Sequence, residues 1–191
     1  PGFTRGQNLE KIGQHAGDTS ELFFNDLRVP ADALLGGVEG QGFVQMMREL
    51  PRERLIIGVQ AVYGAKGALD ATVKYVQERQ AFGQAIGQFQ NTRFTLAQCA
   101  SDIAAAEAFL NASVAAYERG ELTPEAASAL KLHTTEVMGR VADACLQLFG
   151  GYGYMAEYPI SRFWTDARVL RIYGGTSEIM KELVARSLLG R

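Results

Sequence analysis

A chain of 191 residues, 47% apolar and 21% charged, holds enough material for one packed domain, or for one domain and part of another. A formal net charge of −2 and a pI near 5.8 argue against a nucleic-acid binder held by a basic surface. No apolar run approaches the ~20 residues that cross a bilayer, and nothing at the N-terminus resembles a signal peptide.

The chain opens on PGFTRG, without an initiator Met and already strand-like, and so reads as a piece of a longer polypeptide. Residues 1 to about 36 are rich in turn formers and contain one apolar run, ELFFNDLRVP, whose alternation and closing Pro30 favour a strand. Two strands alone are marginally stable, so this segment is expected to complete a sheet whose other strands lie elsewhere. From Gly40 the period becomes helical. Leu55, Val59, Val62, Lys66, Leu69, Val73 and Val76 advance by alternating fours and threes, with Lys66 the one polar member, and predict a helix from about 40 to 78. Pro51 removes one backbone bond within it and predicts a local kink.

A second helix is predicted from about Asn91 to Arg119, with Leu96, Ile103, Leu110 and Tyr117 on one stripe, Ala100 and Ala106 leaving room for close approach, and Gly120 as its stop. The third begins at Thr123 (N-cap), Pro124 and Glu125, buries Leu130, Val137, Val141 and Leu148, and ends at Gly150–Gly151. Shorter helices are predicted at about 159–169 and 176–188, the last capped by Thr176 or Ser177. The fold class is mainly α: an up-and-down helical bundle over 37–191, preceded by the last strands of an incomplete β domain over 1–36. Cys99 and Cys145 fall inside apolar helical patterns, which points to two buried thiols in a reducing, soluble compartment and to neither a disulfide framework nor a metal site. His15 and His133 have no partner motif.

Four stretches carry residues suited to chemistry. RELPRERL (48–55) places Glu53 and Arg54 just past the proline; a carboxylate in a low-dielectric pocket suits a general base, and a solvated surface patch fits the same residues. ERQAFGQAIGQFQ (78–90) offers Arg79 for a phosphate and the amides of Gln88 and Gln90, or is a polar connection between helices. QLFGGYGYMAEYPI (147–160) allows close backbone approach at Gly150, Gly151 and Gly153 beside Tyr152, Tyr154 and Tyr158, or terminates a helix. RIYGGTSEIM (171–180) sets Gly174, Gly175, Thr176 and Ser177 at a helix start, able to bind an anion through backbone N–H groups or simply to cap the helix. The last loop has no base, nucleophile or metal ligand at its apex.

In this order and at these spacings, RQAFG with Gln90, QLFGGYGY with EYPI, and DARVLRIYGGTSEIM resemble the C-terminal half of an acyl-CoA dehydrogenase, and the resemblance covers essentially the whole chain. It implies FAD as cofactor, a fatty acyl-CoA substrate and a trans-2-enoyl-CoA product, with a glutamate removing the α-proton and hydride passing to flavin N5. Most members carry that glutamate immediately after the Ile-Tyr of the last loop, where this chain has Gly174. A subset places it on the long helix before an Arg, which here is Glu53 before Arg54, and RELPRERL with IYGGTSEIMKEL is most similar to the long-chain type. The resemblance gives Gly174 space for that carboxylate and a backbone N–H that polarises the thioester carbonyl. It implies that Arg79, Phe82, Phe89, Gln90, Gln147 and Gly151 meet the FAD of a neighbouring subunit, and that Thr176, Ser177 and Glu178 meet the chain's own; Glu178 departs from a frequent Gln. Pro51, Arg54, Tyr173, Gly174 and Gly175 are implied to border the acyl-CoA. A homo-oligomer, a tetramer built as a dimer of dimers, follows from sharing FAD, and an electron-transfer flavoprotein is the implied acceptor. The implied compartment is the bacterial cytoplasm or the mitochondrial matrix, and the piece alone is expected to be inactive. An acyl-CoA oxidase, an isovaleryl-type dehydrogenase and a non-catalytic oligomerising bundle are the competing readings.

Overall fold

The structure, a computed structural model, describes residues 1–190. It separates into two compact units, Pro1–Glu49 and the chain from Leu50 onward; the domain boundary expected near residue 36 and this division fall thirteen residues apart.

In the first unit, β1 (Phe3–Asn8) and β2 (Ser20–Phe24) pair antiparallel, with Phe3 opposite Phe24 and Arg5 opposite Leu22, and the register slips before Asn8 meets Ser20. The expected strand stops at Phe24, short of the full apolar run, because Asp26 takes a positive φ of 49° and turns the chain. Every residue of both strands is exposed, Phe3 and Phe24 covering only each other at 5.3 Å between ring centroids.

The long helix α1 (Gly42–Glu78) has 37 residues, with Pro51 inside it leaving the Met47 carbonyl without its intrahelical donor. Its buried face differs from the stripe of large aliphatics. Leu55, Val62 and Val76 are buried as expected, but Val59 is 37% exposed, and the face is carried instead by Gly58, Ala61, Ala65, Ala68 and Thr72. Small residues let neighbouring helices approach: a Cβ on Gly58 would lie 3.1 Å from Leu130, one on Gly64 3.1 Å from Met138, and one on Gly67 3.0 Å from Phe163. Lys66 leaves the core by bonding Glu107 at 2.7 Å.

A two-residue hairpin, β3 (Gln80–Ala81) and β4 (Gln84–Ala85), leads into α2 (Gln90–Glu118). On α2, Ile103 and Leu110 are buried with Cys99 and Ala106, while Leu96 is half-buried and Tyr117 exposed. A seven-residue repeat drifts by ~20° per heptad on a straight helix, so the ends of that stripe turn out of the core. The central helix is α3 (Pro124–Phe149), packed against α2, α4 (Pro159–Leu170) and α5 (Ser177–Leu189). Thr123 caps α3 by accepting from the Ala126 N–H at 3.2 Å, Thr176 caps α5 by accepting from Ile179, and Gly150 and Gly190 close α3 and α5 with positive φ. Cys99 and Cys145 are buried free thiols facing each other between α2 and α3; the hydrogen bond with Cys145 and burial push the Cys99 thiol up. Among the described residues no helix is long and apolar enough to cross a membrane, and no cluster of His, Cys, Asp and Glu could hold a metal ion.

Candidate functional site

The loop between α4 and α5, Arg171–Thr176, lies on α1. Gly174 (φ +65°) and Gly175 (φ +98°) adopt backbone conformations that side chains rarely tolerate, and a Cβ on Gly174 would sit 2.7 Å from the Ile57 Cδ1. Ile57 is one turn along α1 from Glu53, so the two side chains share a face of the helix. Arg54, buried, reaches the loop from the same turn: its Nε donates to the Gly174 carbonyl at 3.4 Å and its Nη1 to Ser128 Oγ at 3.2 Å. Tyr173 donates through its hydroxyl to Gln60 Oε1 at 2.8 Å, one more turn along α1.

From α3, Lys131 donates to the carbonyls of Leu170 (3.0 Å) and Gly175 (2.7 Å), and Glu136 accepts from Ser177 Oγ (2.8 Å) and Arg171 (3.1 Å). The underside of the loop is therefore cationic. Burial lowers the pKa of Arg54, an effect the neighbouring Glu53 charge opposes, and burial followed by repulsion from Arg54 brings Lys131 down to about 8. Burial raises Glu136, but the Ser177 hydrogen bond and the Arg171 charge outweigh it and leave the carboxyl below its usual value. Among the described residues no acceptor is found for the backbone N–H of Gly174 or of Thr176, which leaves two donors of the loop available to a ligand.

The other sequence-singled residues gather at the far end of α1. A cavity of about 570 Å³ is lined by Tyr75, Arg79, Gln147, Gly151 and Tyr152 among others. Arg79 lies 5.3 Å over the Tyr152 ring, Tyr75 stacks on Phe149 at 4.0 Å and donates to the Phe149 carbonyl, and the Cβ position of Gly151 meets no atom within 4 Å. This gives a cation, a flat aromatic and open backbone on one wall, a combination that suits phosphate and planar rings. Phe82 stands outside the cavity at the hairpin tip, 95% exposed with φ +53°, its ring edge-on to Phe89 at 6.2 Å; Gln90 opens α2 and is exposed.

Thus Pro51, Glu53, Arg54, Tyr173, Gly174 and Gly175 share one end of the bundle, and Arg79, Gln147 and Gly151 the other. Arg54 and Arg79 are 25 positions apart on or just beyond α1, roughly 37 Å by helical rise. Glu53 is exposed rather than enclosed in a low-dielectric pocket. Ser177 turns inward to Glu136, and Glu178 faces out, its carboxyl lowered by its own backbone N–H and by the Thr176 hydroxyl. Gln60, Lys131 and Glu136 were not singled out in the sequence; Lys131 carried a signal, a cation four residues after Ala127 and seven before Met138 on an otherwise buried face.

The bundle is of the acyl-CoA dehydrogenase C-terminal type: the family model "Acyl-CoA dehydrogenase, C-terminal domain" matches residues 40–189. The long-chain specific mitochondrial acyl-CoA dehydrogenase of Sus scrofa is 46% identical over 188 residues, covering 98% of this chain and 44% of that protein. The crystal structure of an acyl-CoA dehydrogenase from Geobacillus kaustophilus superposes with a TM-score of 0.95 at 45% identity, over 98% of this chain and 49% of the other. A glutaryl-CoA dehydrogenase from Mycobacterium smegmatis, solved in complex with FADH2, gives 0.94 at 28% identity over 100% and 49%. The chain belongs to the acyl-CoA dehydrogenase family, and it spans about half the length of the relatives it matches.

Proposed function

We propose that this chain is the C-terminal half of an FAD-dependent enzyme that oxidises a long-chain acyl-CoA to its trans-2-enoyl-CoA, with Glu53 as the base that takes the α-proton. The observation that carries the reading is the seating of Gly174 on the Glu53–Ile57 turn of α1, with Arg54 joined to the Gly174 carbonyl. A side chain at 174 would run into the Ile57 Cδ1 on a left-handed backbone, so a base rising from the loop would need Ile57 to turn away; a carboxylate one turn along α1 approaches the same space from the side. The Gly174 N–H, free of any internal acceptor, donates to the thioester oxygen and stabilises the negative charge that grows there as the proton leaves. Tyr173, Pro51 and Arg54 border the acyl-CoA, and long-chain substrates are favoured because the 46% identical relative is long-chain specific.

Arg79, Tyr152, Gln147 and the open backbone of Gly151 fit the phosphates and rings of FAD, with Phe82, Phe89 and Gln90 alongside. Bound FAD supplies the acceptor for the β-hydrogen as hydride. Since this wall lies roughly 37 Å from the Gly174 loop, the two ends of one chain serve different flavins, and the enzyme is a homo-oligomer, a tetramer. The β1–β2 hairpin, exposed on both faces, belongs with further strands of the complete protein. An electron-transfer flavoprotein reoxidises it, in the cytoplasm of a bacterium or the matrix of a mitochondrion.

The test uses the complete flavoprotein without oxygen, mixed with palmitoyl-CoA while the oxidised-flavin absorbance is followed. Wild type bleaches rapidly and Glu53→Gln is slower by at least about a hundredfold. Equal rates would remove Glu53 from the mechanism, and a wild type left unbleached by acyl-CoAs of every length would sink the reaction itself.

A further inference from the structure

Lys131 is 1% exposed, yet no carboxylate among the described residues pairs with it, and the charge nearest to it is another cation, Arg54. A buried ammonium in that position is costly, and a bundle that needed only packing would be served as well by an apolar side chain of the same volume. What the ammonium does make is two hydrogen bonds, to the carbonyls of Leu170 and Gly175. These bracket the loop: one is the last residue of α4, the other precedes the cap of α5.

The geometry has a consequence on the opposite side of the loop. A trans peptide is planar, and its C=O and N–H point in opposite directions. Holding the Gly175 carbonyl toward α3 therefore turns the Thr176 N–H away from α3. A cation at a carbonyl oxygen also polarises that peptide and makes its N–H the stronger donor. Gly174, with a positive φ and no side chain of its own, is held through its carbonyl by Arg54 and through its neighbours by Lys131 on Gly175 and Gln60 on Tyr173.

We propose that Lys131 is a positioning residue for α-proton abstraction: by gripping the Leu170 and Gly175 carbonyls at the two ends of the loop it fixes the loop in the conformation that presents the Gly174 N–H to the thioester oxygen. This rests on the dehydrogenase reading above. Lys131 touches neither substrate nor flavin; it acts through the loop, and its effect falls on the transition state, where the oxygen carries most charge, rather than on ground-state binding.

The experiment compares wild type, Lys131→Met and Lys131→Arg in the complete flavoprotein by steady-state turnover of palmitoyl-CoA, thermal unfolding, and hydrogen–deuterium exchange of the 171–177 amides without substrate. Lys131→Met folds, with a melting temperature within about 5 °C of wild type. Its kcat falls by about ten- to a hundredfold while KM moves less than about threefold. The loop amides exchange several-fold faster and the rest of the bundle does not. Lys131→Arg, which keeps a cation and its donors, recovers most of the turnover. A Lys131→Met enzyme with kcat within twofold of wild type overturns the proposal, as does a loss confined to melting temperature, unchanged loop exchange, or an arginine variant no better than methionine. Should the methionine variant not accumulate folded, Lys131→Gln replaces it under the same criteria. If wild type oxidises no acyl-CoA, the dehydrogenase reading fails, and the exchange comparison alone judges whether Lys131 holds the loop.

Discussion

Gly174 and Ile57 show how closely the loop between α4 and α5 is seated on α1. With φ at +65° and the Ile57 Cδ1 2.7 Å from where a Cβ would go, position 174 takes glycine or strains the backbone and turns Ile57 away. Glu53 and Gly174 stood out in the sequence because both lie in motifs of high information; Lys131 did not, because a single cation on an apolar stripe gains meaning only once the burial around it is known. Its burial is open to a direct pH measurement. The folded value of about 8 lies below the ordinary 10.5, so between those limits the folded protein holds fewer protons than the unfolded one, and stability rises with pH across the window. The penalty is present in full below pH 8 and gone above 10.5. Urea unfolding of wild type and Lys131→Met from pH 7.5 to 10.5 is expected to show the wild type gaining on the variant, by on the order of 3 kcal/mol at most. Parallel curves would mean that Lys131 titrates as an ordinary exposed lysine.

Among the elements, the helices were legible in existence and extent, since caps such as Thr123–Pro124 and stops such as Gly150 are local chemistry. The packed face of α1 was legible only in part, at Leu55, Val62 and Val76. Scoring large aliphatics at heptad spacing selected Val59 and Lys66, whereas the core side runs through Gly58, Ala61, Ala65 and Ala68, where closeness of backbones matters more than bulk. The rotated face makes opposite predictions for two conservative-looking changes. Ala65→Leu, at a fully buried contact, costs about 1–3 kcal/mol by overpacking. Val59→Ala, at a site 37% exposed, costs under about 1 kcal/mol. Denaturant midpoints for the two variants decide it; a larger loss at Val59 would restore the heptad stripe as the buried face. Phe82 was equally hidden: its motif marks it as interesting, but a left-handed backbone that thrusts an aromatic into solvent is a property of the turn with Gly83.

For the whole molecule, the candidate site was legible as a set of residues and not as two places. Sequence motifs have order but no distance, and only the unbroken helix between them sets the Arg54 end and the Arg79 end roughly 37 Å apart. The complete protein is accordingly expected to scatter light as an oligomer at micromolar concentration, with flavin content rising and falling with assembly when it is diluted or dissociated by mild denaturant. A monomer that retains stoichiometric flavin would contradict the division of the site between subunits.

The same helix imposes a rule on its own length. Each residue of an α-helix advances the side chains by about 100° around the axis. One residue inserted or removed between Ile57 and Tyr75 would leave both ends chemically intact and aim one of them about a quarter-turn or more away from its ligand. A change of seven or eleven residues, close to two or three whole turns, would restore both bearings to within about 20°, and would move the ends apart or together by about 10 or 16 Å. α1 is therefore a phased ruler: its length between the two ends can change only in steps near two or three turns, because both faces must keep their bearing.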